Sequence, residues 1–172
     1  FEPLEPRLLL SADISFTAVT ASDLTVRLQD VENTQHVQIV LADEAAENGE
    51  IIVESQELAL TSSITLTGSV QSDRFNIDLT GLTDPLSLNI DIIDDGNDQF
   101  ADILSYKGFD ADWLVSDLNA GQVNGIDFTG IENLLGSDLA DDFIIVDGAG
   151  LTGGIDGGDG LNALDMSSLL SP

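Results

Sequence analysis

The residues with the clearest chemical signature lie near the end of the chain, in Gly157-Gly158-Asp159-Gly160-Leu161-Asn162-Ala163-Leu164-Asp165. The run fits the nonapeptide Gly-Gly-x-Gly-x-Asp-x-apolar-x, whose glycines permit a tight turn and expose carbonyl oxygens. Such a turn suits Ca2+, a hard cation that takes about six to eight oxygen ligands. The candidate ligands are Gly158, Asp159, Gly160, Asn162 and Asp165. Asn162 stands where the pattern has a carboxylate, so this site carries less charge and holds calcium more weakly. An ion held between successive turns also needs more than one copy. The segment Asp94-Asp95-Gly96-Asn97-Asp98 is a poorer match. The alternative is a turn kept for its backbone shape alone.

Other reactive side chains point to no chemistry. Asp138, Asp141 and Asp142 form a second acidic cluster, read as a solvated turn, and Asp110 and Asp112 are read the same way. Trp113 reads as core or edge packing rather than a sugar platform. His36 has no companion His or Cys and reads as packed or surface. Carboxylates are too abundant for a paired-acid criterion to select a hydrolase. A lyase needs a basic proton acceptor, and the repeats hold only Arg74 and Lys107. There is no Gly-x-Ser-x-Gly, His-Glu-x-x-His or phosphate loop. The chain reads as no enzyme, with no catalytic residue.

The elements that must carry these residues follow from composition. The 172 residues hold 4 Lys+Arg against 32 Asp+Glu, a net charge of −28. That charge repels phosphate backbones and anionic lipid, excluding nucleic acid and membrane surfaces as partners. No apolar run reaches the ~18 residues of a membrane span. Cysteine is absent, and 42% hydrophobic residues is too apolar for a disordered polyanion. Of 23 Asp, nineteen lie after residue 58, as do fifteen of 16 Gly, whereas eight of nine Glu lie before it. Asp and Gly are turn formers, so the later two-thirds reads as short elements joined by tight turns.

Alternating apolar residues place antiparallel strands near 23–29, 36–42 and 50–54, with Asn48-Gly49 as a hairpin-turn dipeptide. Residues 42–47 suit a helical turn. From residue 63 onward short β-rich runs recur every 10–14 residues, and helix is plausible only around 109–118. Leu66-Thr67-Gly68-Ser69 … Asp73-Arg74-Phe75-Asn76-Ile77 matches Leu134-Leu135-Gly136-Ser137 … Asp141-Asp142-Phe143-Ile144-Ile145 at an offset of 68. Ile93-Asp94-Asp95-Gly96 and Ile155-Asp156-Gly157-Gly158 form a second pair. Repeated short strands with Asp/Gly turns predict an all-β chain, a parallel β-helix or β-solenoid preceded by a small antiparallel unit. Phe75, Ile77, Leu79, Phe143 and Ile145 face inward in this scheme, with Asp73 and Asp141 at the preceding turns. The boundaries read as 1–13, 14–62 and 63–172, the last split into repeats 66–133 and 134–172. Turn carboxylates also discourage edge-to-edge pairing with other chains.

Leu4-Glu5-Pro6-Arg7-Leu8-Leu9-Leu10 matches the LEPR-XLL motif in full, and Phe1 to Asp13 closely resembles its setting. Trp113-Leu114-Val115 and Ala120 to Leu134, with Gly130-Ile131-Glu132-Asn133-Leu134 feeding the next turn, is similar to a recurrent block of giant exoproteins. The resemblance implies the N-terminal piece of a very large bacterial surface or secreted protein, adhesin-like, with β-solenoid repeats related to calcium-binding RTX rolls. It implies an extracellular or cell-surface location and no catalytic residues. The partners it implies are host or neighbouring-cell surface ligands, met by the full-length protein. Three functions stand as expectations: a non-enzymatic structural or adhesive segment, a Ca2+-dependent folding module for secretion, and a carbohydrate-active β-helix.

Overall fold

The computed structural model describes residues 12–94 and 101–170. The motif at residues 4–10 and the segment Asp95 to Asp98 lie outside them. The chain is all-β, as expected. Its strands are β1 Ala12–Thr17, β2 Asp23–Val31, β3 Thr34–Ala42, β4 Glu50–Glu57, β5 Thr61–Thr67, β6 Arg74–Asp78, β7 Asn89–Ile93 and β8 Ile103–Lys107. Then come β9 Ala111–Asp117, β10 Ala120–Val123, β11 Ile126–Thr129, β12 Asn133–Leu135, β13 Asp141–Ile145, β14 Ile155–Asp156 and β15 Ala163–Asp165. Single 3-10 turns occupy Leu58–Leu60 and Ser167–Leu170.

Two open, mixed sheets share the strands. One has eight, in the order β1-β5-β7-β11-β10-β9-β13-β15, and the other seven, in the order β14-β12-β8-β6-β2-β3-β4. After β4 the chain crosses between sheets at nearly every step. Most neighbouring strands within each sheet therefore pair in parallel, so Phe75 lies beside Leu104 and Leu104 beside Leu134. Two meanders interrupt this: β2–β3–β4 and β9–β10–β11 are antiparallel. The first contains the strands expected near 23–29, 36–42 and 50–54. β1 and β2 pair in parallel with β5 and β6, so the early strands belong to the same sheets as the later ones.

Strand alternation explains the core. Leu24 and Val26, Phe75 and Ile77, Leu104 and Tyr106, and Trp113 and Val115 turn inward and join one buried cluster. Phe143 is buried with them, and Ile145 is partly buried against the cluster. Trp113 and Phe143 stack with ring centroids 5.5 Å apart. No helix forms around 109–118. Asp112-Trp113-Leu114-Val115-Ser116 alternates with period two, and that pattern makes a strand. Residues 42–47 form no helix either; the Asp43 carbonyl accepts from the Ala46 N–H in a simple turn.

Turn chemistry is redistributed relative to the sequence reading. Asn48-Gly49 closes a longer loop, in which the Gly49 carbonyl accepts from the Asp43 N–H at 2.9 Å. Two two-residue hairpin turns have both residues at positive φ: Asn124-Gly125, with φ of 46° and 82°, and Glu32-Asn33, with φ of 50° and 68°. Paired positive φ matches the twist of the flanking strands.

The described Lys and Arg lie on one outer face. Arg27 and Lys107 flank Asp78 in one register of the seven-stranded sheet, and Arg74 lies beside Asp23 four residues along, all alternating with buried residues. Each has an acidic neighbour: Glu50 at 2.8 Å, Asp23 at 4.0 Å and Asp78 at 3.7 Å respectively. The eight-stranded sheet instead sets Asp91 beside Asp127 and Asp112 beside Asp142.

Candidate metal centre

The matching copies at an offset of 68 are one turn used at opposite edges of the molecule. Gly68 to Asp73 leads from the eight-stranded sheet to the seven-stranded one, and Gly136 to Asp141 leads back. In both, the aspartate closes the turn on itself. Asp73 Oδ2 accepts from the Ser69 N–H at 2.6 Å and from its hydroxyl at 2.8 Å. Asp141 Oδ2 accepts from the Ser137 N–H at 2.9 Å. Burying these carboxylates is tolerable because backbone donors stabilise the ionised form. Asp141, read from the sequence as part of a solvated turn, is fully buried and also receives the Trp113 Nε1–H at 3.3 Å. Asp138, Asp142, Asp110 and Asp112 remain exposed.

The same carboxylates tie neighbouring parallel strands together. The Ser22 N–H donates to Asp73 Oδ1 at 2.7 Å, the Asp73 N–H to Asp102 Oδ1 at 2.6 Å, and the Asp102 N–H to Glu132 Oε2 at 2.8 Å. Each acid thus accepts from the backbone at the equivalent position ahead of the neighbouring parallel strand. At the other edge the Asp141 N–H donates to Asn162 Oδ1 at 3.0 Å.

One point along this column gathers three acids. Oxygens of Asp73, Asp94 and Asp102 lie within 4.8 Å of one another, and all three side chains are buried. Two glycines make room for Asp94. A Cβ on Gly68 would fall 1.7 Å from Asp94 Oδ2, and one on Gly130 would fall 2.5 Å from the Asp94 carbonyl oxygen. Three carboxylates this close repel strongly at low dielectric. Hard oxygens at this spacing suit Ca2+, whose ligands lie about 2.3–2.6 Å from the ion and hence up to about 5 Å apart. Asp73 also lines a cavity of about 490 Å3 whose wall includes Asp23, Asp43 and Glu44 together with Arg74, so acids outnumber the single cation there.

The nonapeptide residues lie elsewhere. Gly157 to Asn162 stacks on Gly136 to Asp141. Gly158 and Gly160 have φ of 69° and 89°, and a Cβ on either would lie about 2 Å from a carbonyl oxygen of the turn beneath. Asn162 Nδ2 donates to the Gly157 carbonyl at 2.8 Å and the Asp159 carbonyl at 2.9 Å. The amide therefore meets the inward carbonyls with hydrogen-bond donors. Asp159 is exposed, and Asp165 accepts from the Ser167 N–H at 2.8 Å, which holds its carboxyl below the usual range. Among the described residues the convergent acidic set is Asp73, Asp94 and Asp102, and neither Asp159 nor Asp165 belongs to it.

Asp102 escaped the sequence reading and Glu132 entered it only within the Gly130 to Leu134 run, although a signal for both was present. An acid stands two residues before a buried apolar residue in Asp73…Phe75, Asp102…Leu104, Glu132…Leu134 and Asp141…Phe143, and Asn162 stands likewise before Leu164, which is exposed at the end of the sheet. The role of Gly68 and Gly130 became visible only once strand register placed them on either side of Asp94. No protein-family model, curated protein or solved structure matches the chain. Among the described residues no helix is long and apolar enough to cross a membrane.

Proposed function

We propose that this chain is a non-enzymatic structural segment of a large exported bacterial surface protein, built as a β-solenoid. The observation that carries this reading is the acid ladder through Asp73, Asp102 and Glu132, in which each circuit grips the one before it. Parallel register between successive circuits supports it further, since solenoid stability comes from neighbour-to-neighbour stacking. Its role is then to project or support a surface structure outside the cell, where host or neighbouring-cell ligands are met. Solution NMR tests the architecture: contacts from Phe75 to Leu104 and from Leu104 to Leu134 are expected, and their absence sinks it. Turnover of any polysaccharide in a broad glycan panel would overturn the non-enzymatic reading in favour of a carbohydrate-active β-helix.

A second reading, a Ca2+-dependent folding module for secretion, is favoured by the convergence of Asp73, Asp94 and Asp102. Calcium is scarce inside cells and abundant outside, so such a module would tighten on export. A ligand at about 100 times its Kd adds about 2.7 kcal/mol to stability. Melting in Ca2+ against a chelator, with Mg2+ at matched ionic strength, measures this. A Ca2+-specific rise that Asp102→Asn abolishes is expected, and identical curves end the reading.

A further inference from the structure

The sequence contains two Asn-Gly pairs, Asn48-Gly49 and Asn124-Gly125, and the fold treats them differently. In such a pair glycine has no side chain to shield its backbone nitrogen, so the Asn side chain is open to attack by it. Asn124 is held. Its Oδ1 accepts from the Asp112 N–H at 2.9 Å and its Nδ2 donates to the Asp110 carbonyl at 2.9 Å. Its backbone is also pinned, the Asn124 N–H donating to the Asp112 carbonyl at 3.1 Å. A side-chain amide fixed at both ends cannot turn its Cγ toward the following nitrogen without breaking both bonds. Asn48 lies at the end of the exposed loop between β3 and β4, and among the described residues its side chain makes no hydrogen bond. Gly49 is exposed beside it, and no atom lies within 4 Å of where its Cβ would be.

We propose that Asn48 is a site of spontaneous deamidation in the folded protein and that Asn124 is protected. The Gly49 backbone nitrogen attacks Asn48 Cγ. A new N–C bond forms, the Cγ–Nδ2 bond breaks, and ammonia leaves with the hydrogen lost from the Gly49 amide. Water then opens the resulting succinimide at either carbonyl, giving an aspartyl or isoaspartyl residue. The sum is amide plus water to carboxylate plus ammonium, the ammonia taking up the acid's proton, with no catalyst or oxidant. The product adds one negative charge to the loop. In its isoaspartyl form it lengthens the backbone beside the Asp43–Gly49 hydrogen bond that closes the loop. The control on the rate is the Gly49 N–H bond to the Ala46 carbonyl at 3.0 Å, which must open before the nitrogen can react.

The test is peptide mapping by mass spectrometry after the folded chain is held at mildly alkaline pH and physiological temperature. The peptide bearing Asn48 is expected to acquire the amide-to-acid mass change, as a mixture of aspartyl and isoaspartyl forms, while the Asn124 peptide stays intact. In denaturant both peptides should convert at similar rates. Gly49→Ala has room for its Cβ but holds a non-glycine residue at φ 74°, a strain confined to the loop; it should slow conversion at Asn48, and circular dichroism checks that the strands persist. Equal conversion of both sites in the folded chain, conversion of Asn124 alone, or no conversion of Asn48 would each overturn the proposal.

Discussion

At Asp141 a single buried carboxylate serves two unlike donors, the Ser137 N–H of its own turn and the Trp113 indole of the neighbouring strand. Asp141→Ala leaves both without an acceptor in a dry site and should cost about 2–4 kcal/mol. Asp141→Asn keeps an oxygen and should lose less. Urea unfolding measures both, and an alanine variant as stable as the parent would refute the assignment. Asp78 gives a pH-dependent counterpart. Burial, the largest single influence, pushes its carboxyl up, but the Thr80 hydroxyl and N–H together with Lys107 outweigh that and hold it below its usual value. A carboxyl lowered in the folded state contributes stability above its unfolded pKa, about 3.9, and loses it as pH falls through the folded value. Asp78→Asn should therefore destabilise the chain at neutral pH, with the difference vanishing in acid. Lys107→Ala should raise the Asp78 titration seen by NMR. Which residues sit in turns was legible in the sequence, through Gly-Ser-x-x-x-Asp. Which of 23 aspartates are buried was not, because the abundance of one residue type hides its few special members.

At the scale of elements, the turn from β5 to β6 depends on the missing side chain at Gly68. Its backbone does not lie in the left-handed region, so alanine meets no conformational barrier there; the obstacle is the Asp94 carboxylate already in the space. Gly68→Ala should push that carboxylate aside at a cost of about 1–3 kcal/mol, the range for overpacking. It should also abolish any Ca2+ effect on melting. Calorimetry in calcium and in chelator reads both, and an unchanged profile would show that Asp94 is not held there. The short strands were legible because alternation is a local signal, as at Leu24, Val26 and Leu28. The helix allowed around 109–118 failed on the same signal, once Trp113 and Val115 are counted as one face. Asn48-Gly49 misled because a dipeptide's turn preference does not fix loop length. The pair that makes the tight turn, Asn124-Gly125, follows a strand of four residues.

Across the whole molecule the net charge of −28 is spread around one continuous core. Self-repulsion should weaken the fold most at low ionic strength, since the Debye length shrinks from about 30 Å at 0.01 M salt to about 8 Å at 0.15 M. Melting temperature should rise over that interval in NaCl alone, and a flat or falling response would mean that the acids are neutralised in pairs. The all-β class was legible from composition and spacing. Which strands pair was not, because partners such as β2 with β6 are about 50 residues apart and their register rests on inward faces that no local window contains.

The described cations lie on one outer face, each beside an acid, while the opposite face carries adjacent aspartates. Positive charge is therefore confined to one side of an acidic molecule, since the strands of the eight-stranded sheet carry no Lys or Arg. A positively charged solid, such as an anion-exchange bead or an aminated chip, should meet that sheet more often than the face that holds Arg27, Arg74 and Lys107.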